Sequence, residues 1–313
     1  MGVCLVPELL SLGYEVDAMT ADDAVSTQKG LHYIKENAMD RNVISRILKN
    51  KYDAVVDFMV YNTMQFAERF EMFLQSTGHY IFLSSYRVYA NEETPIRETS
   101  PRLLDVIDDV KYLETEEYGL YKARCENILR ASKYNNWTIV RPAITYSKTR
   151  FQLTTLEAWT FIRRCRLGLP SIIPKEALNI QATMSWGGDA AKMIARLVCN
   201  ERAKGEAFTA TTSEHQTWGT IAEYYKELIG LEYIPVDTET FLKFYPFKYQ
   251  LIYDRYFDRI VGNSKILEVT GLKQSDFISL KDGLKMELDA LPKDYLWYDN
   301  ELSKNMDEII KNL

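Results

Sequence analysis

The sequence predicts an α/β fold: a doubly wound parallel sheet that lacks its first strand, followed by a smaller C-terminal lobe. Three observations predict it. Apolar runs of strand length recur at residues 53–60, 78–85 and 137–142. Stretches with helical periodicity separate them, giving a βαβα alternation. After Ser147 the alternation breaks down and longer helical and aromatic stretches take over.

Taken in order, residues 3–12 read as a helix that opens at the very start of the chain, and 13–19 as a strand. Residues 29–36 look like a short strand and 42–49 a helix. Residues 53–60 form a strong buried strand, and 63–76 a helix leading into the next one. That strand, 78–85, alternates, then runs apolar, and stops on Ser84 and Ser85. Residues 115–133 read as a helix with Leu120, Ala123 and Ile128 among its buried positions. Trp137-Thr-Ile-Val-Arg-Pro142 is another strand ending in a breaker. Strand, loop, helix, strand is a βαβ unit; its crossover is right-handed, and ligands bind at the carboxyl ends of such strands. Residues 151–166 read as one helix with Arg163, Arg164 and Arg166 near its end, broken by Gly168-Leu-Pro170. Further helices are expected at 189–199, 218–230 and 284–291, and a short strand at 206–210. Residues 245–256 are rich in aromatics, and 294–313 form a charged tail. The expected division is 1–150 for the sheet domain and 151–313 mainly for the C-terminal lobe, with some segments returning to the sheet. No internal repeat is visible.

Composition narrows the function. At 313 residues the chain can bury a large core. Its apolar runs fall far short of the 18 or so residues of a membrane span, and it opens with no charged-then-apolar leader. A net charge of −6 argues against nucleic acid as a partner. Cys4, Cys125, Cys165 and Cys199 are widely spaced, which speaks against a disulfide framework and fits the reducing cytoplasm. His32, His79 and His215 are too scattered for a zinc site, so no metal is expected. His79, inside a strand pattern, reads as packing.

The chemistry is carried by Ser85 and by Tyr118-Gly-Leu-Tyr-Lys122. Tyr118 and Lys122 stand i, i+4 on one helix face. A phenol is a poor base near neutral pH, but a nearby ammonium favours the phenolate. Ser85 could hold a substrate oxygen and share its proton. With 21 Tyr and 21 Lys, Tyr-x-x-x-Lys arises by chance about once, and a solvated helix face would show it equally. The strand that stops on two hydroxyls upstream of it, and the strand after it, favour carbonyl/alcohol redox chemistry.

These residues resemble the extended short-chain dehydrogenase/reductase superfamily, in particular the NAD-dependent epimerase/dehydratase family and its atypical branch. The resemblance rests on Val55-Val-Asp-Phe58, residues 78–89 ending Ser-Ser-Tyr-Arg-Val-Tyr, Tyr118 to Lys122, Thr138-Ile-Val-Arg-Pro142 and Thr217-Trp-Gly219. It implies a Rossmann domain, an NAD(P) cofactor and a nucleotide-sugar substrate, with the C-terminal lobe setting specificity. In the family the chain opens with a strand and a Gly-Gly-Thr-x-Phe-x-Gly turn that receives the cofactor pyrophosphate. Met1-Gly2 matches only the last two residues of that turn. The expectation is a truncated chain or a complete one without its first strand; in the second case cofactor affinity should be poor. Gly2 would still face the pyrophosphate.

By the same resemblance, Thr20 and Asp22 would stand near the adenosine ribose, and the lack of Arg there points to NAD over NADP. Asp40 resembles the acid that contacts adenine, with a plain helix N-cap as its other reading. Phe58, Met59 and Val60 would line the cofactor, and Pro142 and Ile144 would flank the nicotinamide. Ser147 stands where the family often has Gly. Tyr118 becomes the acid/base, Lys122 lowers its pKa and binds the nicotinamide ribose, and Ser85 orients the substrate hydroxyl. Tyr86-Arg87 occupy the positions where a 4,6-dehydratase commonly carries Asp-Glu, which leaves an epimerase or ketoreductase. Arg87 could face a substrate phosphate, or be a solvated loop arginine. Arg163 and Arg164 could meet a nucleotide diphosphate, or simply suit a helix C-terminus. Trp218 reads as packing beneath a helix whose N-cap is Thr217. The resemblance also suggests a homodimer through a four-helix bundle. The competing reading is a non-catalytic dinucleotide- or RNA-binding protein on the same scaffold.

Overall fold

The structure is a computed structural model and describes residues 1–313. Six strands, each paired in parallel, build two sheets: β1 (Val16–Thr20), β2 (Leu31–Lys35), β3 (Ala54–Asp57), β4 (His79–Leu83), β5 (Trp137–Val140) and, returning from the C-terminal half, β6 (Glu206–Phe208). The central sheet has the order β6-β5-β4-β3. Asp57 pairs with Phe82, and Leu83 with Val140, so the strands end together at one edge.

Every residue of β4 is buried. Successive side chains point to opposite faces. Ile81 and Leu83 meet Leu5, Leu9 and Ile194 on one face, while Tyr80 and Phe82 meet Phe66, Phe73 and Leu129 on the other. A strand covered on both faces needs a continuous apolar run, as 78–85 has. His79 is buried at the start of this strand. Its Nε2 lies 2.7 Å from Thr138 Oγ1, and its Nδ1 accepts the Cys199 amide at 3.1 Å. Burial, with Lys204 nearby, holds its pKa down to about 4, so it packs as a neutral ring.

β1 and β2 form a separate parallel pair, and no backbone ladder joins β1 to β3. The two sheets meet through side chains: Tyr14 and Val16 share an apolar cluster with Ala54, Val56 and Phe58, and with Leu5 and Leu9 of helix Gly2–Ser11. The interruption expected from the sequence therefore lies between β1 and β3.

Two helices differ from the sequence reading, and the aromatic stretch takes a form the sequence left open. The helix expected over 63–76 is two helices, Thr63–Ala67 and Phe70–Ser76. At the break Arg69 donates to the Gln65 carbonyl at 2.6 Å and lays its guanidinium over the Tyr61 ring. The helix expected from residue 151 begins only at Ala158 and ends at Arg166. Before it, Gln152–Leu153 and Leu156–Glu157 form a hairpin. Thr154 has φ +49, a left-handed conformation that helix cannot propagate through. The aromatic stretch folds as Lys248–Gln250 followed by a π-turn, Leu251–Arg255.

The C-terminal lobe holds a parallel pair, Ser171–Pro174 with Tyr233–Val236. Helix Trp218–Ile229 starts at Thr217, whose hydroxyl accepts the Thr220 amide at 3.0 Å, and stops at Gly230 with φ +73. Trp218 is buried in the lobe's core, as the sequence suggested. No helix is long and apolar enough to cross a membrane.

Candidate active site

The sheet edge where β4 and β5 end builds the site. The Ser84 amide donates to the Val140 carbonyl at 2.7 Å, which carries the ladder one residue past β4. Ser85 then starts the short turn Tyr86–Val88, its Oγ accepting the Arg87 amide at 3.2 Å. The Tyr86 amide donates to the Pro142 carbonyl at 3.0 Å, so the turn is tied to the end of β5. Tyr118 opens helix Tyr118–Ala131, and Glu117 caps it by accepting the Gly119 amide at 2.8 Å. Turn and helix meet at Gly119, where a Cβ would lie 2.7 Å from the Arg87 carbonyl oxygen. Only glycine allows that approach. Ser85, Arg87 and Tyr118 are thereby gathered at one point. Tyr118 is half-buried. Burial raises its pKa, and Arg87 and the Ser85 hydroxyl act against that rise.

Lys122 is placed differently from expectation. Its ammonium is buried and donates to the Leu83 carbonyl at 2.6 Å, above the Phe82 ring and 5.9 Å from the Tyr118 ring centroid. Burial pulls its pKa down to about 8. The cation acting most strongly on Tyr118 is Arg87, whose Cζ stands 5.1 Å from the ring centroid.

A buried cation whose folded pKa is depressed opposes folding. The opposition is fully present below about pH 8 and fades as the pH rises to the ordinary lysine range. The depression corresponds to about 3 kcal/mol, and losing the bond to Leu83 returns about 1 kcal/mol of that. Lys122→Met should therefore gain about 2 kcal/mol near pH 7, with the gain shrinking by pH 10. Urea unfolding at both pH values measures it; a variant less stable than the parent at pH 7 would refute the assignment.

Beneath Arg87 lies a charged cluster that sequence reasoning missed. Asp254 is buried and faces three guanidiniums: Arg255, Arg259 at 3.2 Å and Arg87 at 3.3 Å. Burial alone would raise the Asp254 pKa, but the three arginines hold it below the ordinary range. Arg255 also donates to the Thr154 carbonyl at 2.7 Å and to Gln152 at 3.1 Å, which fastens the π-turn to the hairpin. Arg87 ion-pairs in addition with Glu117. Above this floor opens a cleft of about 520 Å³, lined by Arg87, Tyr118, Phe247 and Tyr249 among others.

No protein-family model matches this sequence, and no curated protein matches it either. Solved structures do. UDP-glucose 4-epimerase from Thermus thermophilus, in complex with NAD, superposes with TM-score 0.66 at 16% identity, over 91% of this chain and 94% of that one. DesIV, a dTDP-glucose 4,6-dehydratase from Streptomyces venezuelae, gives 0.67 at 18% identity over 92% of each chain. Pal from Bacillus thuringiensis gives 0.65 at 15% identity over 99% and 96%. The chain has the fold of the NAD-dependent sugar epimerases and dehydratases. Within this epimerase/dehydratase fold the remaining expected residues can be placed.

Gly2 is the first residue of helix Gly2–Ser11, which no side chain caps, and a Cβ on it would rest 4.0 Å from Phe58. The turn Phe58-Met59-Val60 is held by Asp57, a buried carboxylate that accepts the Met59 amide at 2.9 Å and the Tyr80 hydroxyl at 2.8 Å. Thr20 ends β1, and its hydroxyl accepts the amide of exposed Asp22 at 3.1 Å. Asp40 caps helix Arg41–Ile47 by accepting the Asn42 amide at 2.8 Å, which is its structural reading. Pro142 and Ile144 are buried after β5. Arg163 and Arg164 have other partners. Arg164 is fully buried and bonds Pro170, Ser303 and Asp307, while Arg163 bonds the Trp297 carbonyl and Asp299. Both guanidiniums serve to fasten the C-terminal tail.

Glu126 and Arg141 were not foreseen as a pair, although Arg141 lies in the strand segment 137–142. Both are buried, and Glu126 accepts from Arg141 at 2.6 and 2.8 Å and from Ser84 Oγ at 2.6 Å. The available signal was a Glu four places after Lys122 on an otherwise buried helix face.

Proposed function

We propose that this chain is a nicotinamide-dinucleotide-dependent 4-epimerase or ketoreductase acting on a nucleotide sugar. One observation carries the reading: Ser85 and Tyr118 converge at the carboxyl end of β4, with a cation against the Tyr118 ring and a cleft beside it. The UDP-glucose 4-epimerase and DesIV, two proteins of the same fold, are described with NAD bound, which supports the cofactor class.

The residues present fit a dinucleotide. Helix Gly2–Ser11 presents uncapped amides beside Phe58, suited to a pyrophosphate. Val60 and Met64 leave apolar surface exposed after β3. Asp22, which makes no ion pair, and the absence of Arg after β1 favour NAD over NADP. When bound, the dinucleotide supplies the hydride acceptor and donor. Ser85 then orients the substrate hydroxyl, and Tyr118 takes its proton as the carbon is oxidised and gives it back on reduction. Lys122 is the group available to the nicotinamide ribose. A 4,6-dehydratase would need a further acid/base pair after Ser85. Here Tyr86 is buried on Arg255, at 3.3 Å, and Arg87 is ion-paired.

Titration with NAD(H) and NADP(H), followed by nicotinamide fluorescence, tests this. Micromolar binding with NAD(H) the tighter is expected. UDP- and dTDP-sugars should then give reduced nicotinamide or the 4-epimer. No binding of either dinucleotide, or binding without turnover of any such sugar, would remove the enzyme reading.

A further inference from the structure

The spacing Tyr-x-x-x-Lys assigns stabilisation of the phenolate to lysine, but the charge around Tyr118 is arranged otherwise. Three side chains meet at the ring: Arg87 from the turn after β4, Tyr121 edge-on from the same helix, and Lys122 further off. Lys122 is bonded to the strand carbonyl of Leu83. Arg87 cannot leave, because Glu117 holds one side of it and Asp254 the other. We infer that Arg87, held between Glu117 and Asp254 against the Tyr118 ring, is the positioning residue that makes Tyr118 a usable acid/base. This rests on the reading of Tyr118 as the proton-transfer group.

The charges support it. Asp254 answers Arg255, Arg259 and Arg87, and Glu117 answers Arg87 a second time. Arg255 also faces the Glu157 carboxyl, so the positive charge nearest the phenol is that of Arg87. Arg255 and Arg259 are turned away, towards Thr154 and Gln152 and towards the Tyr89 carbonyl. Arg87 is the member that reaches Tyr118, and its buried Nε has no well-directed hydrogen bond. Ionising Tyr118 sets an anion against the Arg87 cation, and protonating it leaves Arg87 with its two carboxylates, which suits a group that must both take and return a proton. The other charged groups facing the phenol are Arg150, exposed in the turn before the hairpin, and Glu117, which opposes ionisation. The close contact at Gly119 fixes the distance between turn and helix.

The test uses the full chain with ¹³Cζ-labelled tyrosine, the Tyr118 resonance being assigned by its loss in Tyr118→Phe. Titration of that resonance needs neither substrate nor cofactor, so it can fail or succeed independently of the proposed activity. In Arg87→Met the Tyr118 titration should move to higher pH, and Arg87→Lys should recover part of the movement. Glu117→Gln keeps an acceptor for the Gly119 amide but removes a negative charge, so it should move the titration to lower pH. Opposite signs from the two sides of one ion pair are not produced by simple loosening. Where turnover is measurable, Arg87→Met should lower kcat at neutral pH by about tenfold with KM little changed. A Tyr118 titration that follows Lys122→Met but ignores both Arg87 variants and Glu117→Gln would overturn the inference. Should Arg87→Met fail to fold, Arg87→Lys decides: a Tyr118 titration moved to higher pH supports the inference, and no movement overturns it.

Discussion

Tyr118→Phe is expected to lower turnover by about 10²–10⁴-fold, the range that one positioned acid/base contributes, while dinucleotide affinity stays within a few-fold. The substitution removes one oxygen and little else. The ring keeps its edge contact with Tyr121 at 5.4 Å and the Arg87 cation at 5.1 Å, and the Glu117 cap bonds the backbone of Gly119 rather than the tyrosine side chain. On the proposed reading, what disappears is the group that takes the proton from the substrate hydroxyl. In the direction of alcohol oxidation the parent rate should rise with pH as the phenol ionises, because only the phenolate can accept the proton. Burial displaces that rise upward and Arg87 and Ser85 draw it back. The variant should lose the rise altogether. A pH–rate profile of both proteins decides it; a variant with parental turnover and the same profile would end the catalytic assignment of Tyr118.

How far the sequence could be read depends on how local the determinants are. Strands β4 and β5 were legible because every residue of each is buried and so written largely in apolar residues, whereas β3, half-buried over its first three residues, is shorter than the strand expected over 53–60. Ser85 and Tyr118 could be singled out because each stands at the edge of a regular element, Ser85 two residues past β4 and Tyr118 at the first residue of its helix. The Lys122 spacing was legible too, but not where its ammonium would go, since that depends on the Leu83 carbonyl across the sheet edge. Arg87 was seen but could not be partnered, because Asp254 lies 167 positions away on a π-turn inside an aromatic stretch with no periodicity. The arginines at 163 and 164 misled for a matching reason. A basic cluster at a helix end looks solvated until a distant tail, here 297–307, folds onto it. The hairpin at 152–157 was hidden because no Gly or Pro interrupts the run from Phe151 to Leu167, and only the left-handed backbone of Thr154 separates the two.

Glu126→Gln is expected to cost about 3–5 kcal/mol of stability, the usual consequence of leaving a buried charge without its partner, and so to lower Tm by about 10 °C. Glu126 is wholly buried and Arg141 is 1% exposed. Two hydrogen bonds join them. Glu126 also receives Ser84 Oγ and Arg102, and Arg141 also donates to the Tyr89 hydroxyl at 2.9 Å and the Glu98 carbonyl. Burial by itself would push the Glu126 pKa up, but Arg141, Ser84 and Arg102 outweigh it and hold it below the ordinary range. A carboxyl depressed on folding stabilises at all pH values above its unfolded pKa and loses that effect as the pH falls through the folded one. The difference between parent and variant should therefore be constant near neutrality and close in acid. The apolar pair Glu126→Leu with Arg141→Met should recover much of the loss, since replacing both partners removes the desolvation cost together with the attraction. Thermal unfolding of Glu126→Leu, Arg141→Met and the double makes the cycle; singles and double that lose stability additively would show that the pair does not act as a unit. Activity should not return with stability. Ser84 directly precedes Ser85, and Arg141 directly precedes Pro142, whose carbonyl receives the Tyr86 amide. The ion pair thus sets the height of the two chain segments that present the hydroxyl to Tyr118. A double variant that is stable yet slow would place that network in the service of geometry, whereas one both stable and fast would reduce it to packing.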